Sequence, residues 1–118
     1  MNLYLVRHGE TANNRDGVGI GRLDEPLTAF GAEQAVAVGE RFAGLKLDRV
    51  FASPLRRALE TARPIVAAAG RPAIEVRNEL IELDVGLTEG MAFPVVRARF
   101  PDFVAKWASS EVATAVMP

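Results

Sequence analysis

Short apolar runs alternate with amphipathic stretches along most of the chain. Residues 3–6, 49–52 and 73–76 are short, mostly apolar and partly β-branched, which is typical of buried strands. Apolar positions recur at helical spacing after Thr28, a favoured type of helix N-cap, and again over residues 55–69. This alternation of strand and helix predicts an α/β fold with a mainly parallel sheet.

Polar and glycine-rich segments connect these elements. Residues 7–24 and 78–90 are expected to be long loops, and long loops in compact domains often carry function. Pro64 is expected to break or restart the second helix, because a proline inside a helix removes a backbone hydrogen bond. Residues 94–107 predict one or two further short helices that divide near Pro101.

The composition is that of one small globular domain spanning residues 1–118. Apolar residues make up 49% and charged residues 25% of the chain, which excludes disorder and coiled coil as explanations. The formal net charge is −1, so we expect no nucleic-acid partner. The chain has no cysteine and one histidine, which excludes a thiolate nucleophile and a multi-histidine metal site.

The apolar runs are too short to cross a bilayer, which needs about 20 consecutive residues. A secretory signal places its positive charge before the apolar run, whereas here the charge follows that run. We therefore expect a cytoplasmic protein with no membrane partner.

The first candidate chemistry lies in Arg7-His8-Gly9, directly after the first predicted strand. In parallel sheets ligands bind beyond the carboxyl ends of the strands. An imidazole can attack phosphorus through one nitrogen while the other donates a hydrogen bond, and a neighbouring guanidinium can hold phosphoryl oxygens. A structural histidine beside a surface arginine is the alternative interpretation of this pair.

Two further segments follow the second and third predicted strands. Arg56 and Arg57 lie in the first turn of a predicted helix, where backbone N–H groups and a guanidinium could bind an anion. A solvated cationic turn is the alternative. Glu82 follows the third strand, and its carboxyl group could serve as a general acid or base near a phosphate.

Taken together, these segments resemble the histidine phosphatase superfamily, also called the phosphoglycerate mutase-like family. The resemblance runs in order from residue 3 to about residue 90. The matching segments read "LYLVRHGET", "PLTAFGAEQA", "SPLRRALETA" and "LIELDVG", followed by Glu89-Gly90. A chance match to the first segment alone is easy, but a match to all of them in order is specific. The implied fold is a three-layer α/β/α sandwich with a mainly parallel sheet.

The resemblance also implies a role for individual residues. His8 corresponds to the nucleophile that becomes a phosphohistidine, and Glu82 to the proton donor and acceptor. The positions implied to bind phosphate are Arg7, Arg57, Asn14 and Gly21. The implied reaction is hydrolysis of a small phosphomonoester without a metal or another cofactor. Because Leu83-Asp84-Val85 follows Glu82 in place of the basic sequence of the mutases, hydrolysis is favoured over a phosphomutase reaction.

The sequence departs from the family in one respect. Family members carry a second catalytic histidine on a strand that lies between the first and second strands of the sheet, whereas this sequence has one histidine. We therefore expect an N-terminal portion of the family fold, incomplete at its C-terminus, with the gap filled by the rest of a longer protein, by strand addition from a partner or in a homo-oligomer. A phosphate-binding remnant without turnover remains the alternative function.

Overall fold

The computed structural model describes residues 1–109 and residue 118. Its regular elements follow the predicted alternation of helix and strand from the second predicted strand onward. In chain order they are α1 (Ala12–Arg15), α2 (Ala29–Glu40), β1 (Val50–Ala52), α3 (Arg56–Ala68), β2 (Ile74–Val76), the 3₁₀ turns Asn78–Leu80 and Gly86–Thr88, α4 (Phe93–Arg99) and α5 (Pro101–Trp107). The division of the last helical segment at Pro101 is confirmed.

The second and third predicted strands form a parallel pair. Strand β1 pairs with β2 so that Phe51 lies opposite Glu75, and α3 provides the crossover that a parallel pair requires. Within the described residues this is the whole of the sheet. The α/β class is therefore confirmed by two strands and the helix between them.

The first predicted strand is wrong for the described structure. Residues 3–6 form no strand in the part of the chain that is described, and Leu3 and Leu5 are 75% and 88% exposed. Tyr4, the one aromatic residue of this segment, packs edge-on against Phe42 with 5.4 Å between ring centroids. A strand needs a neighbour to hydrogen-bond its backbone, and no described segment pairs with residues 3–6.

Helices α2 and α3 form the main packed layer beside β1. The predicted N-cap of α2 at Thr28 is confirmed, because Oγ1 of Thr28 accepts the N–H of Gly31 at 3.0 Å. The expected break at Pro64 is wrong, because α3 continues through it. An interior proline costs about 3 kcal/mol, and burial of Thr61, Ala62 and Ile65 on this helix opposes that cost.

The chain divides into two compact units. The first contains Met1–Ala12 and Asp24–Ile81, and the second contains Asn13–Leu23 and the described residues from Glu82 onward. The interpretation of residues 1–118 as a single domain stays a prediction. None of the described helices combines the length and apolar character needed to span a membrane.

Candidate active site

His8 lies in the first unit and makes the hydrogen bond expected of an attacking imidazole. Its Nδ1 lies 2.8 Å from the carbonyl oxygen of Gly9. A carbonyl oxygen can only accept, so Nδ1 carries the proton, and the lone pair of the neutral ring lies on Nε2. The side chain is half-buried. The backbone therefore selects the tautomer in which Nε2 is the nucleophilic nitrogen.

The residue after His8 is tied to helix α3 by a buried threonine. The N–H of Gly9 donates to Oγ1 of Thr61 at 3.0 Å, and that hydroxyl donates to the carbonyl oxygen of Arg57 at 2.7 Å. Thr61 and Arg57 are 4% and 2% exposed. Two candidate site residues distant in sequence, His8 and Arg57, are thus connected through one hydroxyl group.

Gly9 also allows a close approach to helix α2. A Cβ atom at Gly9 would lie 3.0 Å from the carbonyl carbon of Gly31, and one at Gly31 would lie 2.8 Å from the nitrogen of Glu10. The close neighbour of Gly9 is the first turn of α2, so the glycine pair lets the loop after His8 lie directly on that helix.

The next two residues of the loop, Glu10 and Thr11, are also held by contacts within the first unit. The N–H of Glu10 donates to Oε1 of Gln34 at 2.9 Å, and the carbonyl oxygen of Glu10 accepts the N–H of Thr28 at 2.9 Å. Thr11 is fully buried and forms an isolated antiparallel bridge with Leu27. Each of the three residues that follow His8 is therefore anchored within the first unit.

The start of helix α3 differs from the expected anion site. The N–H of Arg56 donates to Oδ1 of Asp24 at 2.7 Å, so a carboxylate already occupies one of the donors at this helix end. This bond supplies the cap that Leu55, the N-cap residue, lacks. Arg57 is buried, whereas Arg7 and Arg56 are exposed. Arg57 is therefore the buried arginine at the start of this helix.

The remaining predicted site residues lie in the second unit. Asn14 belongs to α1, and its carbonyl oxygen accepts the N–H of Gly17 at 3.3 Å. Glu82 is exposed, and its Oε1 accepts the N–H of Leu83 at 2.8 Å. The carbonyl oxygen of Glu82 accepts Nε of Arg22 at 3.2 Å. The candidate proton donor is thus held by its own backbone neighbour and by an arginine next to Gly21.

Gly21 is buried in the second unit and its backbone is bound by a carboxylate. Its N–H donates to Oε1 of Glu89 at 3.1 Å, and the N–H of Leu23 donates to the same oxygen at 2.7 Å. A Cβ at Gly21 would lie 2.6 Å from the carbonyl oxygen of Leu83. A side chain is therefore excluded here by the backbone beside Glu82.

Sequence reasoning assigned no role to Thr61 or Glu89. Both stand in the segments that carried the family resemblance, "SPLRRALETA" and Glu89-Gly90. Thr61 follows Arg57 by one helical turn, and this spacing places a hydroxyl on the same face of the helix as the arginine. No comparable signal pointed from Glu89 to Gly21, because the contact joins two irregular loops.

The fold and these segments are those expected of the histidine phosphatase superfamily, and comparison with known proteins agrees. Residues 3–116 match the histidine phosphatase superfamily, branch 1. The chain therefore belongs to that superfamily.

Particular relatives fall into more than one functional class. The chain is 43% identical over 89 residues to a Salmonella choleraesuis protein named "Probable phosphoglycerate mutase GpmB", an alignment that covers 75% of this chain and 41% of the relative. Among solved structures it resembles a mycobacterial glucosyl-3-phosphoglycerate phosphatase complexed with VO3, at 30% identity and a TM-score of 0.78. That match covers 85% of this chain and 49% of the mycobacterial one.

A second solved structure, a phosphoserine phosphatase of Entamoeba histolytica in complex with phosphoserine, matches at 33% identity and a TM-score of 0.76. It covers 88% of this chain and 50% of the other. The chain thus spans about half of the length of these relatives or less.

Proposed function

We propose that this chain carries the nucleophile half of a phosphomonoester hydrolase that works through a phosphohistidine at His8. The observation that carries the proposal is the 2.8 Å bond between Nδ1 of His8 and the carbonyl oxygen of Gly9. This bond holds the ring in the tautomer that attacks through Nε2. The names of the two related phosphatase structures support a small phosphorylated metabolite as substrate.

The proposed reaction has two steps. In the first, Nε2 of His8 forms a bond to phosphorus while the ester P–O bond breaks, and Glu82 gives a proton to the departing alkoxide. In the second, Glu82 takes a proton from a water molecule, whose oxygen attacks the phosphohistidine and releases inorganic phosphate. His8 and Glu82 are thereby returned to their starting states.

Charge neutralisation is assigned to the arginines. Arg7 and Arg57 are proposed to hold the phosphoryl oxygens, with Asn14 and Gly21 contributing to the loop around the phosphoryl group. The guanidinium groups supply the positive charge, so the proposed reaction needs no metal ion. Leu83-Asp84-Val85 brings no basic side chain beside Glu82, which supports transfer to water over transfer to a second phosphorylated ligand.

The test is hydrolysis of p-nitrophenyl phosphate by the 118-residue chain, with and without EDTA, beside His8→Ala and Asp102→Asn. Asp102 is an exposed residue of α5 outside the proposed machinery and serves as the control. We expect turnover that survives EDTA and is unaffected by the control. In His8→Ala it should fall by on the order of 10⁴-fold or more. Acid-labile, alkali-stable label on the protein after brief exposure to labelled substrate would identify the intermediate.

Two outcomes contradict the proposal. Equal turnover by the wild type and His8→Ala would eliminate a histidine nucleophile. Phosphate or vanadate binding without turnover would favour the second candidate function, a phosphate-binding protein. This candidate is supported by the presence of one histidine in the sequence, where the family has two catalytic histidines. A homo-oligomer, a strand-donating partner and a cytoplasmic location remain predictions of the sequence.

A further inference from the structure

We infer that Glu89 is a positioning residue for Glu82, acting through the loop that contains Gly21, Arg22 and Leu23. The inference rests on the proposed function for its catalytic consequence, but the contacts themselves can be tested separately. All of these residues belong to the second unit.

A single carboxylate oxygen fixes the loop at two points. Oε1 of Glu89 accepts the N–H of Gly21 at 3.1 Å and the N–H of Leu23 at 2.7 Å. Hydrogen bonds to an ionised acceptor are stronger than neutral ones. Because the two donors flank Arg22, the oxygen fixes the backbone on both sides of that residue and therefore the direction in which its side chain leaves the loop.

The fixed arginine then holds the segment that carries Glu82. Nε of Arg22 donates to the carbonyl oxygen of Glu82 at 3.2 Å, and the same guanidinium lies 3.7 Å from the carboxylate of Asp84. Gly21 packs against the next peptide group, since a Cβ there would lie 2.6 Å from the carbonyl oxygen of Leu83. The peptide groups on both sides of Leu83 are therefore contacted by residues 21 and 22.

The carboxyl group of Glu82 depends on that backbone. Its Oε1 accepts the N–H of Leu83 at 2.8 Å, so a shift of the Leu83 peptide moves the carboxyl group with it. A candidate proton donor must lie within hydrogen-bond reach of the departing oxygen, and a misplacement of 1 Å can cost about 10²-fold in rate. Glu89 thus reaches Glu82 only through the loop and Arg22, and it acts on the reaction only by positioning Glu82.

The first test measures the contacts and does not require activity. Amide resonances of Gly21, Leu23 and Leu83 are followed by NMR in Glu89→Gln, Glu89→Ala and the charge-matched control Asp102→Asn. We expect the first two amides to shift in both Glu89 variants and the Leu83 amide to shift with them, more in the alanine variant. Asp102→Asn should leave all three unchanged. An unchanged Leu83 amide in a folded Glu89→Ala variant would overturn the inference.

The second test asks whether the effect passes through Glu82. We expect Glu89→Ala to lower kcat about 10-fold to 10²-fold with little change in KM, and Glu89→Gln to restore part of the loss. In a Glu82→Gln background the same Glu89→Ala change should lower kcat very little further, because the carboxyl group that Glu89 positions is already removed. Additive losses would overturn the inference. A chain without turnover would instead contradict the proposed function, and the amide test would still decide the contacts.

Discussion

The part of the first unit around His8 and the part of the second unit around Glu82 are held by different physical means. Around His8, backbone groups bond to side chains of helices α2 and α3, and the connecting hydroxyl of Thr61 is buried. Around Glu82, loops that are mostly exposed, apart from buried Gly21, are held by the carboxylate of Glu89 and the guanidinium of Arg22. Buried hydrogen bonds are costly to break, whereas exposed polar contacts are screened by water and salt. The segment after His8 is thus fixed mainly by packing, and the segment of Glu82 by polar contacts.

This difference implies that substitutions in the two parts should have different effects, one on the stability of the fold and the other on turnover. Loss of the Thr61 hydroxyl near His8 removes the partner of a buried polar group, which penalises the folded state. Loss of a contact near Glu82 exposes groups that water can solvate. We therefore expect the first part to affect unfolding most and the second part to affect catalysis most.

The largest expected effect comes from Gly31→Ala. The added Cβ would meet the backbone of Glu10, which is anchored to Gln34 and Thr28 and cannot easily move. We expect a loss of about 3 kcal/mol in the free energy of unfolding, measured by urea denaturation, since overpacking of this kind outweighs the helical preference for alanine.

Its counterpart in the second unit is Gly21→Ala. The added Cβ would meet the carbonyl oxygen of Leu83, in an exposed loop beside Glu82. We expect a smaller loss of stability and a fall in kcat of about 10-fold or more. Equal losses of stability in Gly31→Ala and Gly21→Ala would contradict the distinction between the two parts.

A smaller effect is expected from Thr61→Val. The change keeps the shape of the side chain but leaves the N–H of Gly9 and the carbonyl oxygen of Arg57 without their shared partner. We expect a loss of about 2 kcal/mol in the free energy of unfolding. Thr88→Val in the second unit is the matched control, because buried Thr88 makes one local bond to the carbonyl oxygen of Val85. A control as destabilised as Thr61→Val would remove the special role of the connecting hydroxyl.

Next in size is the cap that Asp24 provides to helix α3. Its Oδ1 accepts the N–H of Arg56, and loss of such a cap typically costs about 1 kcal/mol. Asp24→Asn retains an acceptor oxygen and should recover much of the loss seen in Asp24→Ala. Equal stabilities of wild type and Asp24→Ala by urea denaturation would show that this contact adds nothing to the helix.

The smallest expected effect lies on the exposed face of the strand pair. Arg49 and, to a lesser extent, Arg77 hydrogen-bond Glu75 and hold its pKa below the usual value, against a smaller opposing effect of burial. A lowered folded-state pKa means that the stabilisation is present above the unfolded pKa and is lost as the pH falls through the folded pKa. We expect this contribution to disappear on acidification below about pH 4.5, the ordinary value.

The measurement is the difference in free energy of unfolding between wild type and Glu75→Gln as a function of pH, at low and high salt. We expect a small difference near neutral pH that shrinks on acidification and at high salt. Glu79→Gln, which alters an exposed carboxylate of a 3₁₀ turn, is the control. A difference that grows on acidification would reverse the sign of the effect.

Local pattern was sufficient for some elements and misleading for others. The N-cap at Thr28 and the division at Pro101 follow from residue type and spacing, and both are confirmed. The strands predicted at 49–52 and 73–76 are confirmed as well, at 50–52 and 74–76. Residues 3–6 have the same composition as a buried strand, yet strand formation requires a hydrogen-bonding neighbour that residue type does not supply. Pro64 breaks isolated helices, but packing of α3 keeps this one continuous.

The sequence by itself determined the family, because the matching segments occur in order, and from them it predicted roles for His8, Arg57 and Glu82. Only the tertiary structure decided how these residues are held. The hydroxyl of Thr61 between Gly9 and Arg57, and the carboxylate of Glu89 on Gly21 and Leu23, join positions far apart in the chain. Residue spacing predicts contacts within an element, whereas contacts between distant segments depend on how the chain folds back on itself.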